Sequence, residues 1–106
     1  MSSLLLARSE AIKRNTQVAV VPVADDWTKG WVVEAVVTGE QYDKRNPVGD
    51  VVINLAPASI VYDRNGRLTV PGTTHVEIAD PYARVPARCV VIELSGLPRL
   101  LQGICL

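Results

Sequence analysis

The apolar positions of this chain change period once, near residue 16. Between residues 3 and 15 they recur at helical spacing: Leu5, Ser9 and Ile12 form one stripe, Leu4, Ala7 and Ala11 lie beside it, and Arg8, Glu10, Lys13 and Arg14 fill the rest. This predicts a helix with one apolar side, which would bury Leu4, Leu5, Ala11 and Ile12. Glu10 precedes Arg14 by one turn in the favourable orientation, Lys13 and Arg14 suit the negative end of the helix dipole, and Asn15 suits the exit. No N-cap precedes the helix. Met1-Ser2 reads as a start placed inside a longer helix, so an upstream part is expected to be missing.

From residue 16 onward the pattern is that of short strands. Gln17 to Ala24 is rich in Val and reads as a buried strand bounded by a turn at Asp25-Asp26, with Pro22 at its edge or at a bulge. Gly30 to Val37 reads as the next strand, ended by Thr38-Gly39, so the two form a hairpin. Gly39 to Asp50 is polar throughout and predicts a solvated, mobile loop. Short strands follow at Val51–Leu55 and Ser59–Asp63, the second continuing through Arg67 to Val70 after the tight-turn signal Asn65-Gly66. Thr74–Ala79 alternates, with Val76 and Ile78 on one face and His75 and Glu77 on the other. Arg88–Leu94 puts Cys89, Val91 and, if the strand runs that far, Glu93 on one face and Val90, Ile92 and Leu94 on the other. Ser95 to Pro98 then turns the chain into Arg99-Leu100-Leu101. One helix followed by hairpin-linked strands predicts an α+β fold, a helix packed across a twisted antiparallel sheet.

At 106 residues the chain is one domain, 1–106, divided into the end of a helix (1–15) and a β-rich part (16–106). Apolar residues make up 48% of it, yet no run approaches the ~20 needed to cross a bilayer. Eleven basic and eleven acidic residues cancel, which argues against a protein that coats nucleic acid generally. Phe is absent and five Trp and Tyr rings are all there is, so base stacking has little support.

Candidate chemistry is sparse. His75 is the single histidine and nothing marks a nucleophile beside it, so neither general base catalysis nor a metal site is expected. Asp25 and Asp26 read as turn residues without calcium-loop spacing. No phosphate loop or dinucleotide fingerprint occurs, and no cofactor is expected. Trp27 and Trp31 are expected to hold the first hairpin against the helix.

The words LLLARSEAIKRN, a strand beginning Gln17-Val18-Ala19-Val20, then Trp27 and Gly30-Trp31-Val32-Val33, closely resemble the minor pilins and pseudopilins of the FimT, FimU and GspH family. Ile60 to Leu68 resembles that family's aromatic strand and polar-Gly turn, and Cys89-Val90-Val91-Ile92 through Cys105 its cysteine-flanked final strands. The resemblance implies a pilin-like fold with a truncated N-terminal helix. It further implies a cleaved leader and an apolar helix that anchors the whole subunit in the bacterial inner membrane, with the domain periplasmic and later part of a pilus. The partners implied are other minor and major pilins, or pseudopilins.

Because the resemblance places the domain outside the cytoplasm, a Cys89–Cys105 disulfide is expected; two buried free thiols are the alternative. DNA-uptake members of the family have Gly-Arg-x-Arg where this chain has Gly96-Leu97-Pro98-Arg99, so only Arg99 matches. If Arg99 gathers with Arg88 and Arg84, the resemblance implies sequence-independent contact with double-stranded DNA through phosphates; scattered solvated arginines are the alternative. Three roles follow: a non-enzymatic minor pilin in a type IV pilus tip or initiation complex, a FimT-like DNA receptor, or a GspH-like pseudopilin of a type II secretion system.

Overall fold

The computed structural model describes residues 2–45, 52–69, 74–79, 87–103 and 105. Helix α1 spans Ser2–Arg14, and eight strands follow: β1 Val18–Pro22, β2 Trp31–Ala35, β3 Gln41–Arg45, β4 Val52–Leu55, β5 Ile60–Tyr62, β6 Thr74–Ala79, β7 Arg88–Ile92 and β8 Pro98–Gln102. They form two four-stranded sheets, ordered β3-β2-β1-β5 and β4-β6-β7-β8, and every described strand pair is antiparallel. The fold is α+β, but its β-rich part is divided between two sheets where the pattern suggested one.

Helix α1 ends as its sequence indicates. Asn15 takes a left-handed conformation (φ 54°), the Asn15 N–H reaches the Ile12 carbonyl and the Thr16 N–H reaches the Ala11 carbonyl. Together these bonds cap two otherwise orphaned carbonyls. Arg14 Nε donates to Glu10 Oε2 at 2.6 Å, and its guanidinium lies 4.4 Å from the centre of the Tyr42 ring, tying the helix end to β3.

The buried stripe differs from the expected one. Ser3, Leu4, Ala7 and Ala11 are buried, whereas Leu5 and Ile12 are each 46% exposed. The two alanines have no bulk to hold the helix away from the sheet, so the backbone settles on the side that carries them. The larger side chains are left on the flank.

Val18, Ala19 and Val20 are buried because β1 lies inside its sheet, paired with β2 on one side and β5 on the other. Pro22 closes β1 beyond the three residues that pair with β5. Asp26 caps the 3-10 turn at Trp27–Lys29: its Oδ1 accepts from the Thr28 hydroxyl and N–H, and these bonds hold the carboxyl below the ordinary range. That matches its reading as a turn residue.

One expectation fails on the first sheet. The polar segment Gly39–Asp50 contains β3, an edge strand paired with β2; the rest of the segment lies outside the described residues. Edge pairing is made by backbone groups, so β3 needs no apolar alternation. After β5, a turn is fixed by Asp63, whose Oδ1 accepts from the N–H groups of Asn65 and Arg67. Beyond it a single bridge, Tyr62 to Leu68, stands where a strand to Val70 was expected; Val70 itself is outside the described residues.

The two sheets and the helix share one core and are joined at its border by a junction of turns. Tyr62, fully buried, donates its hydroxyl to the Gly96 carbonyl at 2.8 Å. Gly96 (φ 89°) lies so close to the Asp63–Arg67 turn that a Cβ would collide with the Gly66 carbonyl oxygen and stand 2.8 Å from Cε1 of Tyr62. Arg8 reaches in from α1 and donates Nε to Gly66 O at 3.0 Å.

Gly96→Ala is expected to destabilise the fold by about 2–4 kcal/mol, because it adds both a collision and left-handed backbone strain. Gly39→Ala, also at positive φ but with open space around it, should cost about 1 kcal/mol. Urea midpoints of the two variants check this. Burial pushes the Tyr62 phenol up to about 12 from 10.0. The unfolded chain therefore releases that proton first, so Tyr62's contribution is intact below pH 10 and is lost as pH rises toward 12. Denaturation at stepped alkaline pH should show this loss in the wild type and a shallower one in Tyr62→Phe.

Candidate functional site

The candidate site is the β7–β8 hairpin, which carries Arg88, Arg99, Leu97 and both cysteines. Along β7 the residues alternate between a core-facing set, Val90 and Ile92, and an outer set, Cys89 and Val91; all four are buried. Register decides the rest. Val91 pairs with Arg99 and Cys89 with Leu101, which puts Arg99 on the outer face of the sheet. Arg88 shares the parity of Val90 and Ile92 and pairs with Ile78 and Gln102, so it projects from the opposite side at the strand's end.

The structure therefore does not bring Arg88 and Arg99 together, and Arg84 lies outside the described residues. Arg99 is already engaged: its Nη2 meets Glu93 Oε1 at 2.9 Å, with the two side chains 57% and 54% exposed. A pair that exposed is worth under about 1 kcal/mol and is easily exchanged for another anion. Leu97, at the position of the first arginine in DNA-uptake relatives, is an exposed leucine.

Cys89 and Cys105 are joined in a disulfide with Cα atoms 5.2 Å apart. The bond folds the chain after β8 back over the outer face and accounts for the burial of Cys89. Gly103 N–H donates to the Ala87 carbonyl at 2.7 Å, and Cys105 N–H donates to Glu77 Oε1 at 2.9 Å. Glu77 pairs with Cys89 across β6 and β7, which sets its carboxylate beside the disulfide.

Sequence reasoning missed three of these roles. Glu77 was only a polar-face residue of a half-buried strand. Arg8 was placed among the helix's polar residues, although it joins the helix to the turn between the sheets. Gly96 was noted as part of a DNA-contact motif, yet its work here is to let two turns touch. No spacing in the sequence signals Arg8 or Glu77, because both act on backbone groups remote in the chain.

The tryptophans behave as expected in one case. Trp31 Nε1 donates to Ser3 Oγ at 2.9 Å and so links β2 to the helix, while Trp27 Nε1 donates to the Pro57 carbonyl at 2.8 Å and ties down the segment after β4. Both border a cavity of about 80 Å³ lined also by Leu4, Ile53 and Val76, a gap in the shared core. His75 pairs with Val91 on the outer face. Among the described residues, no group of three or more His, Cys, Asp and Glu could hold a metal.

The sequence pattern of the family described as type II transport protein GspH matches residues 1–96. The chain belongs to the GspH family. Among solved structures, this GspH-family chain is similar to the type IV minor pilin FimU of Pseudomonas aeruginosa, with a TM-score of 0.80 and 19% identity over 94% of this chain and 81% of FimU. A second crystal form of FimU gives 0.79 and 20%. The minor pseudopilin EpsH from the type 2 secretion system of Vibrio cholerae is also similar, with a TM-score of 0.67 and 17% identity over 95% of this chain and 89% of EpsH. At these identities the likeness is one of fold. No curated protein matches the sequence.

Replacing both cysteines, as Cys89→Ala with Cys105→Ala, is expected to lower the unfolding free energy by about 3 kcal/mol, the loop-entropy value for a span of this length. Urea unfolding of the oxidised wild type and of the double variant measures the difference.

Proposed function

We propose that this protein is a minor pilin, a non-enzymatic subunit that acts by packing against other minor and major pilins in a type IV pilus tip or initiation complex. Membership of the GspH family supports a subunit role. The observation that carries the packing mechanism is the division of apolar residues on α1: Ala7 and Ala11 face the sheet, while Leu5 and Ile12 stand 46% exposed along its flank. Leu5, with the part of Ile12 not laid against Gly66, is available for a neighbouring helix.

In this reading the domain works in the periplasm of a bacterium, tethered to the inner membrane, and becomes extracellular when the pilus assembles. No helix among the described residues is long and apolar enough to cross a membrane, so the tether is part of the proposal. A second reading, a pseudopilin of a type II secretion system, is favoured by the description of the family that matches. The DNA-receptor reading has less support: Arg99 is paired with Glu93, Leu97 replaces a guanidinium, and Arg88 lies on the other face.

The test is to mix the protein with the other minor pilins of its host, and separately with secretion pseudopilins, and measure association. Binding to the pilins, weakened about tenfold by Leu5→Glu, is the expected result, since one buried leucine contributes about 1.5–3 kcal/mol. Binding only to pseudopilins would select the second reading. Binding to neither would overturn both.

A further inference from the structure

The second sheet ends in an edge unlike that of the first. Strand β3 presents Asp43, Lys44 and Arg45 along its edge, charges that discourage another strand from pairing there. Strand β8 presents Pro98, Arg99, Leu100, Leu101 and Gln102; the last four are exposed, with Leu100 and Leu101 each at 45%, and the β7–β8 ladder has no bulge to twist the edge away.

The directions of its free backbone groups can be read off one bond. Gly103 N–H donates to the Ala87 carbonyl, and the register makes those residues partners, so theirs is a hydrogen-bonded pair. Alternation along an antiparallel ladder then turns Arg99 and Leu101 toward β7. Leu100 and Gln102 turn both N–H and C=O outward, and Pro98 turns out a carbonyl alone.

We infer that β8 pairs with β8 of a second copy of this chain, antiparallel about a two-fold axis through Leu100. In that register the two Leu100 residues exchange N–H···O bonds, and each Gln102 N–H meets the opposite Pro98 carbonyl. The Gln102 carbonyl faces a residue with no N–H and is left to solvent in this register. Arg99 faces Leu101 of the other copy, which avoids the like-charge contact that a register centred on Arg99 would create. On the core side, the row Val90–Leu100 continues into its own symmetry mate. On the outer side, each Leu101 covers the aliphatic stem of the opposite Arg99.

The chemistry of this edge favours a second copy over an unrelated strand. The outward donors and acceptors complement themselves except at the Gln102 carbonyl, the apolar residues meet their equals, and a net charge of zero opposes no approach of like molecules. The two-fold makes the contact closed, so association stops at a dimer. This goes beyond the subunit reading and does not depend on it.

Sedimentation of the chain over a wide concentration range tests the proposal. The wild type is expected to show a reversible monomer–dimer equilibrium, and Leu100→Lys, which sets two charges against each other across the axis, to weaken it at least about tenfold. Leu100 is nearly half in water already, and circular dichroism checks that the variant is folded. Leu100→Cys provides a second measurement, because a hydrogen-bonded pair holds its Cα atoms about 5.5 Å apart, within disulfide reach. It should cross-link into covalent dimers under mild oxidation while Gln41→Cys on the β3 edge does not. A wild type that stays monomeric throughout, or a dimer that survives Leu100→Lys and fails to cross-link through Leu100→Cys, overturns the assignment.

Discussion

The Tyr62 hydroxyl on the Gly96 carbonyl is the contact on which the arrangement of this protein depends. Among the described residues the two four-stranded sheets share no strand pair, so their relative position comes from side chains and from contacts between turns, the Leu68 N–H on the Leu94 carbonyl among them. At this point the end of β5, the Asp63–Arg67 turn, the turn before β8 and the side of α1 converge within hydrogen-bond distance. Gly96 permits the approach, Tyr62 fills the space with a ring whose polar end is satisfied, and Arg8 closes it from the helix. A buried phenol without that carbonyl would leave an unpaired hydroxyl in the core, which costs more than the bond itself contributes.

The same junction reinterprets the most suggestive motif in the chain. Gly96 begins the segment that resembles the Gly-Arg-x-Arg turn of DNA-uptake members, and here it is consumed by packing. Arg99 then emerges on the outer face, next to Glu93, with leucines before and after it. The surface that results carries one guanidinium, already paired with Glu93, where a pair of arginines would neutralise two phosphates. Its chemistry suits contact with protein. Helix and edge strand thus offer two separate surfaces with exposed leucines, one on each layer of the fold.

Stability is divided in the same way. The first sheet is held by the helix and the Val-rich pair β1–β2, while the second is closed by the Cys89–Cys105 bond and by Glu77, which fix the end of the chain over its outer face. Cys89 and Val91 are buried on a face that would otherwise look outward, and this lets β7 be apolar on both sides.

Much of this was legible in the residues taken alone. The helix and its exit at Asn15, the Val-rich strands, the turn at Asp63–Arg67, the alternation of β6 and the α+β class all follow from local period and turn chemistry, which act over a few residues. The family words pointed to the right family and to the disulfide. Other features depended on partners far along the chain. Which side of α1 is buried was settled by how closely Ala7 and Ala11 let it approach, not by where its largest residues lie. The polar β3 became a strand because β2 offered it an edge. Arg88 and Arg99 were separated by a register fixed between β7 and β8. Sequence determined the elements, since propensity and periodicity are local; tertiary structure alone decided the two-sheet layering, the Tyr62–Gly96–Arg8 junction and the faces on which charges appear, since these rest on contacts between residues up to 87 positions apart.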